Sequence, residues 1–222
     1  VIGEVKIVED VPAAFAELVV ATLRSSSSAP FVLAGSGGSS GAACFAALSR
    51  IDLEWSRIEF VFVDERCVGW DLPEANGHAI GEALGPRVTE LAGFHRMSCD
   101  EGPDAYGALL EGFGHLDLVQ LGFGPDGHTA SIFPGSKELL APSSGLVARN
   151  VDPTGRNPHE RLTMTLNALA LASRTVVTVV GGDKREAFGA LVAGEALPGA
   201  LADSPSTIWL VDPAAAPEAT GS

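Results

Sequence analysis

The chain has 222 residues, 46% of them hydrophobic and 19% charged, with a formal net charge of −14. This profile excludes a disordered chain, and its acidity argues against nucleic acid and anionic membranes as partners. A small phosphorylated ligand stays open, because a phosphate needs only a local cluster of cations and N–H donors. The N-terminus has no apolar stretch of signal-peptide length, and no window approaches the ~18 apolar residues of a membrane span. The three cysteines, Cys44, Cys67 and Cys99, are an odd number with no metal-ligand spacing. They point to free thiols, no structural metal and a reducing, cytoplasmic setting. Nothing in the sequence assigns an oligomeric state.

Taken in chain order, the pattern alternates strand and helix. Residues 4–8 form a first strand, and 12–24 a helix with Phe15, Leu18, Val19 and Leu23 on one face. Phe31 to Ala34 is a buried strand, followed by a Gly/Ser loop from Gly35 to Gly41 and a helix to about Leu48. Ile58 to Val63 is the next strand, ending in Asp64-Glu65-Arg66; helices follow over about 75–84 and 104–112. Leu116 to Leu121 is a strand that runs into Gly122 to His128. Residues 134–160, rich in Pro, Gly, Ser and Asn, read as loops around one short strand at 146–148. Arg161 to Thr165 is a strand or an extended lead-in, followed by a helix to about Leu171. Thr175 to Val180 is a β-branched strand ending in Gly181-Gly182-Asp183-Lys184, with a helix to about Val192 and a last strand at 207–211. Residues 213–222 read as a frayed tail. No repeat or composition break divides the chain, so the expectation is one domain over 1–222. The expected fold class is α/β, a doubly wound, mostly parallel sheet with helices on both faces.

In such a sheet, ligands bind at the carboxyl ends of the strands. Four polar or Gly-rich clusters fall there: 35–41, 64–66, 122–128 and 181–184. Together they argue for one composite site. The first cluster opens a helix and suits a phosphate, although it is neither a Walker loop nor GxGxxG; an ordinary turn capped by Ser39 would look the same. Lys184 at a helix start opposes the helix dipole, a conflict that a bound phosphate removes. His128 projects from a tight Gly-Pro-Asp-Gly turn, and histidine is the side chain suited to general-base work near neutral pH. Asp126 could orient it.

The run from Gly122 to Gly135, Gly-Phe-Gly-Pro-Asp-Gly-His-Thr-Ala-Ser-Ile-Phe-Pro-Gly, closely resembles the long signature of the 6-phosphogluconolactonase family. Asp64-Glu65-Arg66 with Asn76, the Arg161 to Thr165 strand, the Gly181-x-x-Lys184 turn and the Gly37-Gly38-Ser39 loop are similar to further segments of that family. There are departures. Ser40-Gly41 stands where the family has Thr-Pro, implying a less rigid helix start, and Ala75 stands where it has Ser, implying one hydroxyl contact fewer. The resemblance implies a Rossmann-like fold, hydrolysis of 6-phosphoglucono-1,5-lactone in the pentose phosphate pathway, and no organic cofactor.

On this reading His128 takes a proton from the attacking water and returns it to the ring oxygen, with Asp126 or a backbone group setting its tautomer. Gly37, Gly38, Ser39, Ser40, Arg66, Asn76, Arg161 and Lys184 bind the substrate and its phosphate. Backbone N–H groups near Gly37-Gly38 or Gly124 meet the oxyanion. Asp64 is the alternative base, or it holds Arg66 or a sugar hydroxyl. An amino-sugar-phosphate deaminase on the same fold is a competing reading, but such enzymes carry Glu five residues after the matching His, where this chain has Phe133. A non-catalytic sugar-phosphate sensor is a third; the acidic chain has no spare basic helix-turn-helix for one.

Overall fold

The structure, a computed structural model, describes residues 2–136, 145–201, 203, 204 and 206–217. The strands are β1 (Glu4–Ile7), β2 (Phe31–Gly35), β3 (Ile58–Phe62), β4 (Asp64–Arg66), β5 (Gly93–His95), β6 (Leu118–Gly122), β7 (Val147–Asn150), β8 (Arg161–Met164), β9 (Thr175–Val179) and β10 (Thr207–Val211). The α-helices are α1 (Val11–Ser25), α2 (Gly38–Ser49), α3 (Asn76–Leu84), α4 (Gly102–Phe113), α5 (Leu166–Leu169), α6 (Arg185–Val192) and α7 (Pro198–Leu201).

Seven strands form a parallel sheet in the order β1-β10-β9-β6-β2-β3-β5. Strands β2, β9 and β10 are buried along their whole length. This accounts for their unbroken apolar or β-branched character, since a parallel sheet is covered on both faces. Helix α1 shows how local signals set an element. Asp10 caps it by accepting the Ala13 N–H at 2.9 Å, Pro12 stands in its first turn, and Phe15, Val19 and Leu23 form its buried stripe. Helix α2 packs between α1 and α3. Phe15, Phe45 and Phe60 pack edge to face under this group, and Phe123, Phe188 and Trp209 cluster under α6.

The chain leaves β2 toward β3 on one side and leaves β6 toward β9 on the other. The switch point therefore lies between β2 and β6, where a ligand crevice is expected. Gln120, wholly buried in β6, braces this point. Its Oε1 accepts the Ser36 N–H at 2.9 Å and its Nε2 donates to Thr178 Oγ1 at 3.1 Å.

Three features depart from the sequence expectations. Asp64–Arg66 is not the polar end of β3 but a separate strand in a second, antiparallel sheet of order β4-β8-β7. Strands of three or four residues carry too little alternation to reveal this. Cys67 and Cys99 form a disulfide, against the expectation of free thiols. Cys67 follows β4 and Cys99 follows β5, so the fold joins residues 32 apart in sequence. Cys44 stays free and buried, and burial pushes its thiol up to about 12. Residues 213–217, expected to fray, turn back on the body, with Ala215 buried and its N–H bonded to Asp212 Oδ1 at 2.7 Å. The loops expected within 137–144 and the tail from 218 lie outside the described residues.

Gly35 closes β2 beneath the phenylalanine cluster. A Cβ there would lie 2.5 Å from the Phe45 ring and 2.6 Å from the Phe60 ring. Gly35→Ala should therefore cost about 1–3 kcal/mol, as overpacking does, read as a lower urea midpoint; an unchanged midpoint would contradict this packing.

Candidate active site

All four clusters meet in one cleft of about 230 Å³ at the carboxyl edge of the sheet. Of the residues singled out in the sequence, Gly37, Gly38, Ser39, Ser40, Asp64, Arg66, Asn76, His128, Arg161 and Lys184 line it. Asp126 does not; it stands behind His128. Asn157 also lines the cleft and was not anticipated, because it sits in a Pro/Gly-rich stretch with no periodicity.

The first wall is the start of α2. Its N-cap is Gly37 rather than Ser39, with no side-chain hydrogen bond at the cap. The N–H groups of the first turn thus have no intrahelical acceptor and carry the positive end of the helix dipole. Close approach explains the glycines. A Cβ on Gly37 would lie 2.2 Å from Asn76 Oδ1, and one on Gly41 would lie 2.1 Å from the Ser36 carbonyl. Gly41, expected to loosen the helix start, lets the preceding turn pack against it.

The second wall is the β6 turn. Gly124 donates to the His128 carbonyl at 2.8 Å and Gly127, at φ 79°, donates back to Gly124 at 3.0 Å. The Gly124 N–H is therefore spent within the turn and is not free to meet an oxyanion. The turn brings His128 Nδ1 to 2.5 Å from Asp126 Oδ1. Asp126 can only accept, so in the neutral ring the proton sits on Nδ1 and Nε2 keeps a lone pair. Burial would raise the Asp126 carboxyl, but the hydrogen bonds from His128, and its charge when protonated, hold it below its ordinary value. Phe133 backs the imidazole at 5.0 Å between ring centroids.

The third wall is cationic. Antiparallel pairing sets Arg66 directly opposite Arg161. Directly opposed like charges on adjacent strands are unfavourable. Both guanidinium groups have a buried Nε without a hydrogen-bond partner. Arg66 Nη1 donates to the Glu74 carbonyl at 2.6 Å. Asp64 was expected to hold Arg66 or a sugar hydroxyl; of the two arginines it meets Arg161, its Oδ2 lying 3.6 Å from Arg161 Nη1 and accepting the Ser131 hydroxyl at 2.6 Å. The register explains this choice: Asp64 pairs with Thr163, two rungs from the Arg66–Arg161 pair, and period-two alternation puts both rungs on one face. Burial pulls the Arg161 guanidinium below its ordinary range, and Asp64 works in the opposite direction. Lys184 Nζ pairs with Asp183 Oδ2 at 2.6 Å, so its conflict with the start of α6 is met by a carboxylate in this structure.

Glu65, overlooked in the sequence, supports the site from behind. Its carboxylate accepts the N–H groups of Arg66, Asn76 and Gly77, each at 2.7 Å, and so caps α3 from another element. Burial pushes its carboxyl up to about 7, against the pull of these three bonds.

A Cβ on Gly124 would lie 2.1 Å from His128 Nδ1 and 2.8 Å from Asp126 Oδ1. Gly124→Ala should displace the ring from Asp126 and abolish the deshielded Nδ1 proton signal in the NMR spectrum while global stability changes little. Retention of that signal would contradict the arrangement.

A sequence profile described as glucosamine-6-phosphate isomerases/6-phosphogluconolactonase matches residues 5–209. A 6-phosphogluconolactonase of Neisseria meningitidis serogroup A is 34% identical over 174 residues, 74% of this chain and 75% of that protein. One from Mesorhizobium japonicum is 37% identical over 171 residues, 73% of this chain and 71% of that protein. The crystal structure of a 6-phosphogluconolactonase from Shewanella baltica matches with a TM-score of 0.80 at 26% identity, covering 95% of this chain and 97% of that one. The matched span holds the β2, β4, β6 and α6 clusters alike, and the chain belongs to the glucosamine-6-phosphate isomerase/6-phosphogluconolactonase family.

Proposed function

We propose that this protein hydrolyses 6-phosphoglucono-1,5-lactone to 6-phosphogluconate, the ring-opening reaction of the pentose phosphate pathway. The observation that carries the reading is the pairing of an oriented imidazole, His128 on Asp126, with a facing wall of Arg66, Arg161 and Lys184 in one cleft.

The chemistry follows from the tautomer. Nε2 accepts a proton from water as its oxygen attacks C1 of the lactone, and Asp126 stabilises the imidazolium that forms. Charge develops on the carbonyl oxygen and is met by the free N–H groups at the start of α2. The tetrahedral intermediate then breaks the bond from C1 to the ring oxygen, which takes the proton back from Nε2. One water is consumed, and a carboxylic acid and a hydroxyl result; the acid then gives its proton to solvent and leaves as the carboxylate. The phosphate lies between Arg66 and Arg161 within reach of Lys184, with Ser39 and Ser40 adding hydrogen bonds. Asn76 and its neighbour Gly37 shape the floor. Asp64 is bound to Arg161 and Ser131, and in this scheme it fixes the arginine rather than acting as the base.

The deaminase reading fares less well. The position at which such enzymes carry Glu is Phe133, an apolar ring backing His128. Among the described residues no helix is long and apolar enough to cross a membrane. A cytoplasmic location remains part of the proposal, and the disulfide weighs against it because paired cysteines are rare in reducing compartments; the thiol state of Cys67 and Cys99 in freshly lysed cells decides it.

Two variants separate chemistry from binding. His128→Ala should lower kcat about 10²–10⁴-fold and leave 6-phosphogluconate binding nearly intact. Arg66→Ala should chiefly raise KM, by roughly ten- to a hundredfold for a lost charge-assisted hydrogen bond of about 1.5–3 kcal/mol. Near-native kcat in His128→Ala, after subtraction of spontaneous hydrolysis, would return the base role to Asp64.

A further inference from the structure

Asn157 is a half-buried residue in an exposed loop: Pro153 to Arg156 on one side and Pro158 on the other are exposed. The loop is organised by Asp152, itself buried. Asp152 Oδ1 accepts the backbone N–H and the hydroxyl of Thr154, both at 2.8 Å. Its Oδ2 accepts the backbone N–H of Asn157 at 3.0 Å and the side-chain Nδ2 of Asn157 at 2.9 Å. The chain turns at Gly155, whose N–H returns to the Asp152 carbonyl at 3.0 Å with φ 71°.

This geometry fixes which end of the amide meets the ligand. A carboxylate only accepts, so the Asn157 amide must turn its Nδ2 toward Asp152 and present Oδ1 elsewhere. No hydrogen bond to that Oδ1 occurs among the described residues, and Asn157 lines the cleft together with Arg161, Lys184 and His128. An amide oxygen repels phosphate oxygens and accepts hydroxyl hydrogens. In a cleft whose cations meet the phosphate, it is a reader of the sugar.

We infer that Asn157 is a specificity-determining residue that accepts a ring hydroxyl of the bound sugar through Oδ1, and that Asp152 is the positioning residue that aims it. The inference rests on the lactonase reading for the identity of the sugar, but not for its test. Burial would raise the Asp152 carboxyl, yet the hydrogen bonds from Asn157 and Thr154 bring it down to about 2, so the anchor stays charged through the neutral range.

The test compares two ligands by calorimetric titration. 6-Phosphogluconate carries both a phosphate and hydroxyls; inorganic phosphate carries no sugar. Asn157→Ala should weaken 6-phosphogluconate roughly two- to tenfold, the worth of a neutral hydrogen bond, and leave inorganic phosphate unchanged. Asp152→Ala should give the same selective loss, and the double variant should be no worse than either single one, because both changes remove one contact. Equal losses for both ligands, or no loss for the sugar phosphate, would overturn the assignment. Because the readout is binding, it stands even for a protein that proves to have no lactonase turnover, which would sink the functional reading alone.

Discussion

Antiparallel pairing of β4 with β8 places Arg66 directly opposite Arg161, and two guanidinium groups so placed repel unless negative charge lies nearby. Asp64 offsets part of this repulsion through Arg161. Each arginine also has a buried Nε without a hydrogen-bond partner. On the proposed function, a multiply charged oxyanion would neutralise the pair. Much of the surrounding structure serves to hold this arrangement. Glu65 ties β4 to the start of α3, Ser131 ties Asp64 to the β6 turn, and Asn76 donates to the Asp64 carbonyl at 3.0 Å.

The catalytic half is preorganised in a different way. The cationic wall uses paired strands, whereas the His128 turn uses the absence of side chains. Gly124 leaves room for the imidazole and Asp126, and Gly127 supplies the left-handed bend. The two halves meet at the switch point of the parallel sheet, where β2 and β6 diverge and Gln120 fixes the turn after β2. On the proposed function, the phosphate grip and the base would sit on separate rigid elements, so that remote binding energy could orient the reacting carbon against Nε2.

The sheet and the principal clusters were legible in the sequence because a buried parallel strand leaves an unbroken apolar run and its end leaves glycine and charge. Phe31 to Gly41 and Leu118 to His128 each carry both signals. Two strands of the second sheet were legible, near 146–148 and from Arg161, but their assembly with Asp64–Arg66 was not, because that strand has three residues and the pairing is long-range. For the same reason the arginine that Asp64 meets was not legible, since register decides between Arg66 and Arg161. The Cys67–Cys99 disulfide was hidden by an odd cysteine count and by a spacing that only the packing of β4 near β5 makes meaningful. Gln120 did carry a signal: an amide inside an apolar strand must find partners, and such residues brace sites. Asn157 carried none, because its role depends on a loop that Asp152 closes.

The account turns on one cleft that reads a phosphate and opens a lactone. Its most direct test is the hydrolysis rate of freshly made 6-phosphogluconolactone beside that of gluconolactone without the phosphate, each corrected for spontaneous ring opening. The account predicts turnover well above background on the phosphorylated lactone and a kcat/KM lower by at least about ten- to a hundredfold on the other, the loss of one or more charge-assisted contacts. Equal efficiency on the two lactones, or no turnover above background on either, would contradict it.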